Sequence, residues 1–162
     1  MADEDTARQI ALRLLESQPR TRAELAQAMA RRGVPADAAT AVLDRFADVG
    51  LIDDEAFAAA WVTSRHTGKG LGRRALTQEL RRRGVEEETV AQAVSSISGD
   101  DERIAASALV TRRLRTMTGL PRETQVRRLV GMLARKGFSQ SLAMSVVLEA
   151  LGELPSSADP PS

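Results

Sequence analysis

The chain has 162 residues, of which 43% are hydrophobic and only 2% aromatic, and its 23 Lys and Arg nearly balance 22 Asp and Glu. With no cysteine and a single histidine, it cannot form a disulfide framework, a thiolate metal site or a histidine cluster. An acidic first stretch and the lack of a long apolar run predict a cytoplasmic protein without a signal peptide or membrane span.

Three helices are predicted between residues 6 and 50. The first carries an aliphatic stripe and ends at Pro19. Thr21 and Glu24 have the spacing of a capping box at the start of the second helix. Gly33 is expected to end that helix in the left-handed conformation, and Pro35 suits the start of the third helix.

The next segment, residues 51–99, repeats this order. Asp53 is a good N-cap for a helix whose predicted buried face is Phe57, Trp61 and Val62. The glycine-rich stretch 68–72 is expected to form an inter-helix hinge loop, with His66 solvated in a basic loop beside it. A short arginine-rich helix follows, and then a helix from about Glu86 to Ser98.

The last helical segment, residues 100–152, is predicted to begin with Asp100 as a cap. Leu120-Pro121 breaks its long first helix, and Ser139 caps its last helix. Residues 153–162 are rich in proline and serine and are expected to be a disordered tail. No stretch alternates with period two for long enough to predict a strand.

One short motif, a basic residue followed by glycine and an apolar residue, occurs in all three segments: Arg32-Gly33-Val34, Arg83-Gly84-Val85 and Lys136-Gly137-Phe138. Before each glycine the same two apolar positions recur, at Leu25 and Met29, Leu76 and Leu80, and Leu129 and Leu133. A period of this length indicates one three-helix unit used three times. The sequence therefore predicts an all-α protein, an elongated tandem array of three helix-turn-helix-like repeats.

Charge is banded along the chain. Residues 65–83 hold seven basic residues and one acidic residue, residues 84–102 hold six acidic residues, and residues 112–136 hold eight basic residues against one acidic. The arginines either solubilise helix faces or contact phosphates or an acidic protein surface. The sequence offers no catalytic group, metal site or cofactor site.

Two readings of these patterns are disfavoured. The 68–72 stretch lacks the strand context and the spacing of a phosphate-binding loop. Each glycine-joined helix pair looks like a DNA-reading helix-turn-helix, but the second helices carry Asp37, Asp44 and Glu86–Glu88, which would repel phosphates. A nucleic-acid-binding module or transcriptional regulator stays the alternative function, with non-specific binding expected.

Residues 50–85 resemble the central signature of RecX regulatory proteins, in Gly50-Leu51-Ile52-Asp53-Asp54-Glu55-Ala56-Phe57-Ala58, Gly68-Lys69-Gly70-Leu71-Gly72-Arg73-Arg74-Ala75-Leu76 and Glu79-Leu80-Arg81-Arg82-Arg83-Gly84-Val85. Residues 129–139 are similar to the third repeat of that family. The flanking repeats extend the resemblance over nearly the whole chain.

The resemblance implies a negative regulator of the RecA recombinase. The lack of candidate catalytic groups predicts that the protein is not an enzyme, and we expect it to be a monomer. Such proteins lie in the groove of the RecA–DNA filament and inhibit its ATPase, strand exchange and co-protease activities in DNA repair, recombination and the SOS response. Non-specific contact with single- or double-stranded DNA is also expected. The partner contacts carried over from the resemblance are Lys69, Arg73, Arg74, Arg81, Arg82, Arg127, Arg128 and Arg135.

Overall fold

The computed structural model describes residues 2–152, and within that range it contains nine α-helices and no strand. The all-α helical array predicted from the sequence is confirmed, while the predicted tail at 153–162 lies outside the described residues. The helices are α1 (Ala2–Ser17), α2 (Arg22–Arg31), α3 (Ala36–Asp48), α4 (Asp54–Lys69), α5 (Arg73–Arg82), α6 (Glu87–Val94), α7 (Gly99–Leu114), α8 (Arg122–Arg135) and α9 (Gln140–Ala150).

The chain divides into two compact units. Unit 1 comprises residues 2–62 and 79–93, and unit 2 comprises residues 63–78 and 94–152. The middle segment, α4 to α6, contributes to both units. The repeat boundaries at 50 and 99 remain a prediction.

Unit 1 holds a core in which α1, α2 and α3 pack against one another. Its buried side chains are aliphatic apart from one phenylalanine, as the composition predicts. Helical spacing places them on one face of each helix. They are Ala7, Ile10, Ala11, Leu25, Met29, Val34, Ala39, Val42, Leu43, Phe46 and Ile52.

Unit 2 holds the corresponding core of α7, α8 and α9. Leu129 and Leu133 on α8 are fully buried, as Leu25 and Met29 on α2 are in unit 1. Phe138 supplies the largest fully buried side chain of this core. The remaining members are Ala106, Val110, Met117, Ala143, Val146 and Val147.

The glycines of the three motif copies end α2, α5 and α8 in the same way. Gly33, Gly84 and Gly137 have φ of 80°, 83° and 97°. Each donates its N–H three residues back, and the next residue donates five residues back, so that Val34 N–H reaches the Met29 carbonyl at 3.0 Å. This is the Schellman pattern, in which an apolar residue after the glycine folds onto the helix it ends.

Two of these glycines also form joints with a preceding helix. In unit 1 the Thr21 hydroxyl donates to the Arg83 carbonyl at 2.5 Å, and a Cβ on Gly84 would collide with Ala23. In unit 2 Gly72 N–H donates to the Lys136 carbonyl at 2.8 Å.

The unit 2 joint has the same close approach. A Cβ on Gly137 would collide with Ala75, and one on Gly72 would lie 2.6 Å from the Gly137 carbonyl oxygen. A Cβ on Gly33 would meet nothing within 4 Å. Glycine is therefore required at the two joints by packing as well as by φ.

Several sequence expectations about helix ends need correction. Ser98, not Asp100, caps α7: its hydroxyl accepts from Asp101 N–H and Asp101 accepts from Ser98 N–H, both at 3.0 Å. The hydrogen bonds that the Asp101 carboxylate accepts from Ser98, first from its backbone N–H, lower the pKa of Asp101. Helix α6 ends at Val94, because residues 95–97 form the turn that leads into this cap. The expected caps at Thr21, Asp53 and Ser139 are confirmed.

The loop in the glycine-rich stretch 68–72 is also shorter than predicted. Gly68 and Lys69 continue α4, and only residues 70–72 connect it to α5. His66 therefore lies on a helix, half-buried, with its Nδ1 2.8 Å from the Leu71 carbonyl oxygen.

Alanine substitutions at two glycines should separate backbone strain from close packing. Gly33→Ala and Gly84→Ala both place a side chain at positive φ, which costs about 1 kcal/mol. Gly84→Ala additionally drives a Cβ into Ala23, so we expect it to lower the free energy of unfolding by about 2 kcal/mol more. Denaturant unfolding of both variants measures the difference. Equal losses in the two variants would mean that the residues around Ala23 shift to make room for the methyl group without a cost in folding free energy.

Candidate basic interface

Seven of the eight predicted contact residues are exposed, and Arg73 is half-buried. They do not form one set, because some are engaged within the protein and others are not. This distinction decides which of them are available to a partner.

Arg73 belongs to a structural ion pair in unit 2. Its backbone N–H and its Nε each donate to Glu102 at 2.9 Å, to Oε2 and Oε1 respectively. Glu102 is only 7% exposed, so its carboxylate depends on these donors for the hydrogen bonds that water would otherwise supply. The sequence offered Glu102 only as one of several acids near a helix start, and its role in holding the start of α5 was missed.

Arg81 is also paired, at the surface of unit 1. Its Nε and Nη2 donate to the two oxygens of Glu87 at 2.7 and 2.9 Å. These hydrogen bonds lower the pKa of Glu87 and raise that of Arg81. Among the described residues, Arg74 and Arg82 make no such pair.

A cleft of about 550 Å³ on α7 and α8 gathers three of the predicted residues. We call it the arginine cleft. Spacing of three and four residues places its α8 members on one helix face. It is lined by Arg113, Arg127, Arg128, Gly131, Met132 and Arg135.

A second cleft, of about 340 Å³, contains Lys69. We call it the lysine cleft. Small residues of α4, of the loop after it and of α7 form much of its wall, among them Gly68, Gly70 and Ala108. Its cationic and titratable members are His66, Lys69, Arg112 and Lys136.

The lining residues of the two clefts include no carboxylate. Within residues 2–152, none of the seven Lys and Arg side chains of the two clefts forms an ion pair. Arg112 and Arg113 are consecutive on α7, as Arg135 and Lys136 are at the end of α8, so unit 2 presents adjacent basic surfaces. These surfaces are suited to an anionic partner.

Unit 1 has the opposite character around an acidic cleft of about 440 Å³. Asp53, Asp54, Glu55 and Glu86 line it, and Asp54 accepts a hydrogen bond from Arg22 N–H at 3.0 Å. Of these four acids only Glu86 belongs to the acidic band at 84–102, so the acidic cleft does not follow from the charge bands of the sequence.

A cation–π and ion-pair cluster surrounds Arg83, and the sequence analysis did not predict it. The Arg83 guanidinium lies 5.0 Å from the ring centre of Phe57 and 4.8 Å from that of Trp61, and the two rings stack at 5.8 Å. It also donates twice to Glu24, at 2.6 and 3.0 Å. Both rings are half-buried, so the prediction that they form the buried face of α4 is wrong for them and right for Val62.

This cluster is structural. Arg83 lies in the joint of unit 1, where its own carbonyl accepts from Thr21. Cation–π stacking and a charge-assisted fork together hold the side chain in place. Glu24 completes the capping box of α2, since it also accepts from Thr21 N–H at 3.0 Å.

The described residues contain no group of three or more His, Asp or Glu side chains arranged to hold a metal ion. None of the helices in residues 2–152 combines the length and apolar character needed to cross a bilayer. Helical repeats with unpaired cationic clefts define a class of protein that binds a partner along its surface.

Comparison with known proteins identifies the family. Residues 7–46 match the family model of the RecX first three-helix domain, and residues 53–94 match that of the RecX second three-helix domain. The chain is 55% identical to regulatory protein RecX of Thermobifida fusca over 145 residues, which is 90% of this chain and 78% of that protein. It is 53% identical to regulatory protein RecX of Streptomyces coelicolor over 149 residues, 92% of this chain and 79% of that protein. The chain belongs to the RecX family.

Solved structures agree in fold. The crystal structure of RecX from Lactobacillus salivarius superposes with a TM-score of 0.84 over 91% of this chain and 96% of that chain, at 18% identity. A second crystal structure of a regulatory protein RecX gives 0.77 over 94% of this chain and 72% of that one, at 23% identity.

Removing Arg73 should destabilise the protein far more than removing its neighbour. Arg73→Ala leaves the buried Glu102 carboxylate without its main partner, and we expect a loss of about 2 kcal/mol. Arg74→Ala removes an exposed, unpaired side chain and should change stability by less than about 0.5 kcal/mol. Thermal and denaturant unfolding test both. Glu102→Gln added to Arg73→Ala should recover part of the loss, and no recovery would contradict the unpaired-charge explanation.

The Arg83–Glu24 pair should make stability pH-dependent in acid. Burial raises the pKa of Glu24, but hydrogen bonds from Arg83 and Thr21 outweigh it and hold the pKa below its usual 4.5. A lowered folded-state pKa means that the contribution is present above the usual value and is lost as pH falls through the folded value. Glu24→Gln keeps the capping-box hydrogen bond without the charge. Its deficit in melting temperature against the parent should therefore shrink below about pH 4. A deficit that stays constant from pH 7 to pH 3 would exclude the charged pair as its cause.

Proposed function

We propose that this protein is a negative regulator of the RecA recombinase. It binds in the groove of the RecA–DNA filament and inhibits ATP hydrolysis, strand exchange and co-protease activity. Membership of the RecX family carries this proposal, since the curated relatives bear the name regulatory protein RecX. We further propose that it acts as a monomer in the cytoplasm, and that it is not an enzyme.

The contacts proposed for the filament are cations that the fold leaves unengaged, Lys69 and Arg74 in unit 2 and Arg82 in unit 1. Lys69, Arg74 and Arg82 are exposed and have no carboxylate partner among the described residues. Arg73 and Arg81 contribute less, because each would first have to release Glu102 or Glu87. Arg127, Arg128 and Arg135 extend the basic surface on α8.

RecA ATP hydrolysis on single-stranded DNA tests the function directly. The parent protein, titrated against RecA from the same source, should suppress hydrolysis. Replacing Lys69, Arg74 and Arg82 by glutamate should raise the half-inhibitory concentration by about tenfold or more, because long-range attraction and local complementarity are both lost. Circular dichroism should show unchanged helix content, since none of the three side chains holds the fold together.

A matched control replaces Arg13, Arg31 and Arg32 by glutamate. These side chains are also exposed and unpaired among the described residues, and the change in net charge is identical. The control should inhibit nearly as well as the parent. If the parent leaves hydrolysis, filament lifetime and strand exchange all unchanged, the proposed function is wrong. If both triple variants inhibit like the parent, the regulator assignment holds and the proposed contact surface does not.

A further inference from the structure

The chain has two lysines, and both of them line the lysine cleft of unit 2. Arginine supplies the other 21 of its 23 basic side chains. Three basic side chains border this cleft, and they are Lys69, Arg112 and Lys136. A protein that uses arginine for positive charge at every other position thus places its two primary amines together.

Positive charge has a structural explanation at this place, but the choice of lysine does not. Lys69 is the last residue of α4, Arg112 lies in the last turn of α7, and Lys136 is the C-cap of α8. Cations at these positions offset the negative ends of the helix dipoles. An arginine supplies the same charge, as Arg112 does. A primary amine differs because it can lose a proton and become a nucleophile, which a guanidinium does not.

The surroundings of Lys69 leave its amine accessible. Lys69 is exposed and forms no ion pair within residues 2–152. Gly68 lies beside it within α4, where a Cβ would meet nothing within 4 Å, so packing does not require glycine there. Gly70 follows it, and the Gly70 N–H donates to the His66 carbonyl at 2.9 Å. The amine therefore lies on a fixed helix end, between two residues that have no side chain to cover it.

His66 supplies a proton acceptor next to this amine. It precedes Lys69 by three residues, a spacing that places two side chains on one helix face, and both line the cleft. Its Nδ1 lies 2.8 Å from the Leu71 carbonyl oxygen. A carbonyl oxygen only accepts, so Nδ1 carries the proton and Nε2 is the nitrogen that takes up another. The Asp101 carboxylate interacts electrostatically with His66, which stabilises the imidazolium that then forms.

The opposite side of the cleft is suited to a small anion. Arg112 and Lys136 supply positive charge from two further helices, and the described lining residues include no carboxylate. The half-buried Ala105 and Leu109 add a small apolar surface. The volume of about 340 Å³ is at the lower end of the range for small-molecule sites.

An acyl phosphate combines the features that this cleft can use. Its phosphate carries the negative charge that Arg112 and Lys136 attract, and a phosphate oxygen is bonded directly to the acyl carbon that an amine attacks. In an acyl coenzyme A the phosphates lie far from the reactive carbon. Binding those phosphates would not bring that carbon to Lys69.

We propose that Lys69 is a modification site, acylated without an enzyme by an acyl phosphate, such as acetyl phosphate, bound in the lysine cleft. The Lys69 ammonium first gives a proton to His66 Nε2, and its Nζ then attacks the acyl carbon. A C–N bond forms while the bond between that carbon and the phosphate oxygen breaks. The phosphate leaves with the electron pair and takes the second proton from the nitrogen. The products are a neutral amide on Lys69 and inorganic phosphate.

Acylation removes one of the three unengaged cations proposed to contact the filament. We therefore expect the acylated protein to inhibit RecA less well than the unmodified protein. This consequence rests on the proposed function, whereas the modification itself does not.

Incubation of the parent protein with acetyl phosphate, followed by peptide mass spectrometry, tests the site. Lys69 should be acetylated about tenfold faster than Lys136, which is half-buried and whose carbonyl is held by Gly72 in the joint. The rate at Lys69 should saturate with acetyl phosphate concentration, and inorganic phosphate should compete, because the cleft is occupied before the reaction. A linear rate that inorganic phosphate does not reduce would overturn binding in the cleft. Faster reaction with acetyl coenzyme A at equal concentration would overturn the choice of an acyl phosphate.

Arg31→Lys supplies a matched control within the same molecule. Arg31 is the last residue of α2, as Lys69 is of α4, and it is exposed and lies outside the lysine cleft. Ala28 stands three residues before it, so the introduced amine has a helix end but no histidine beside it. We expect this amine to be acetylated about tenfold more slowly than Lys69, without saturation. Equal rates at the two positions would overturn the proposal.

Two further variants separate anion binding from proton transfer. Arg112→Gln should raise the half-saturating concentration of acetyl phosphate about fivefold and change the limiting rate little. His66→Asn keeps an N–H donor at the position of Nδ1 but has no second ring nitrogen. It should lower the limiting rate about tenfold or more and leave the half-saturating concentration unchanged. Parent-like kinetics in either variant would contradict the role given to that side chain.

RecA ATP hydrolysis measured with treated and untreated protein separates the two proposals. If Lys69 is acetylated as expected but the parent leaves RecA unaffected, the modification site stands and the proposed function fails. If the parent inhibits RecA but Lys69 reacts no faster than the control amine, the proposed function stands and the site fails. Lys69→Arg keeps the charge and lacks the amine, so treatment should not change its inhibition. Equal inhibition by acetylated and unmodified parent would overturn the regulatory consequence.

Discussion

The joint between a helix start and a glycine turn is the constraint on which the rest of this structure depends. Gly84 and Gly137 each end a helix at positive φ, and each accepts the first turn of an earlier helix so closely that a methyl group would collide. A Schellman turn alone needs only the positive φ, as Gly33 illustrates. The added contact explains why the turn carbonyls of Arg83 and Lys136 accept hydrogen bonds from Thr21 and Gly72.

These joints also explain why the two compact units do not coincide with the three sequence repeats. The beginning of α5 is held in unit 2 by Gly137 and by Glu102, whereas the turn after its end is held in unit 1 by Ala23, Thr21 and Glu24. One helix therefore takes part in two compact units. A repeat with so small a core of its own obtains its stability from neighbours, which is the behaviour expected of helical arrays.

Electrostatics in this protein serve two purposes that composition cannot separate. Arg73, Arg81 and Arg83 hold Glu102, Glu87 and Glu24 in geometries that define helix starts and turns. The arginines of the arginine cleft form no ion pair within residues 2–152. A net charge of +1 conceals this difference, because it counts engaged and unengaged cations alike.

The features that the sequence predicted are those governed by local rules. The capping box at Thr21, the positive φ of the three glycines and the burial of the leucines before them depend on residues within one turn or one helical face. The errors concern residues whose roles depend on distant partners. Glu102 is a sequence neighbour of good caps, but its function is fixed by an arginine 29 positions away.

The same distinction applies to the candidate site. The family resemblance grouped Arg73 and Arg81 with Arg74 and Arg82 as partner contacts. Pairing depends on where Glu102 and Glu87 lie after folding, which helical periodicity does not report. The resemblance also supplied Arg127, Arg128 and Arg135, but that these three line one cleft with Arg113 of α7 required the tertiary structure.

The three repeats differ in how they use the first half of the helix that ends at the glycine. In the first two repeats a small side chain in the first turn of the helix permits a joint with the next repeat. It is Ala23, ten residues before Gly33, and Ala75, nine residues before Gly84, and the glycine each one meets must in turn lack a side chain. In the third repeat the helix begins a turn earlier, so that Gln125 lies inside α8 where Thr21 and Gly72 stand before α2 and α5. A helix start is then no longer available at that register for the hydrogen bond that a joint requires. Released from this constraint, Arg128 stands nine residues before Gly137, where Ala75 forms a joint in the second repeat, and this part of α8 lines the arginine cleft instead.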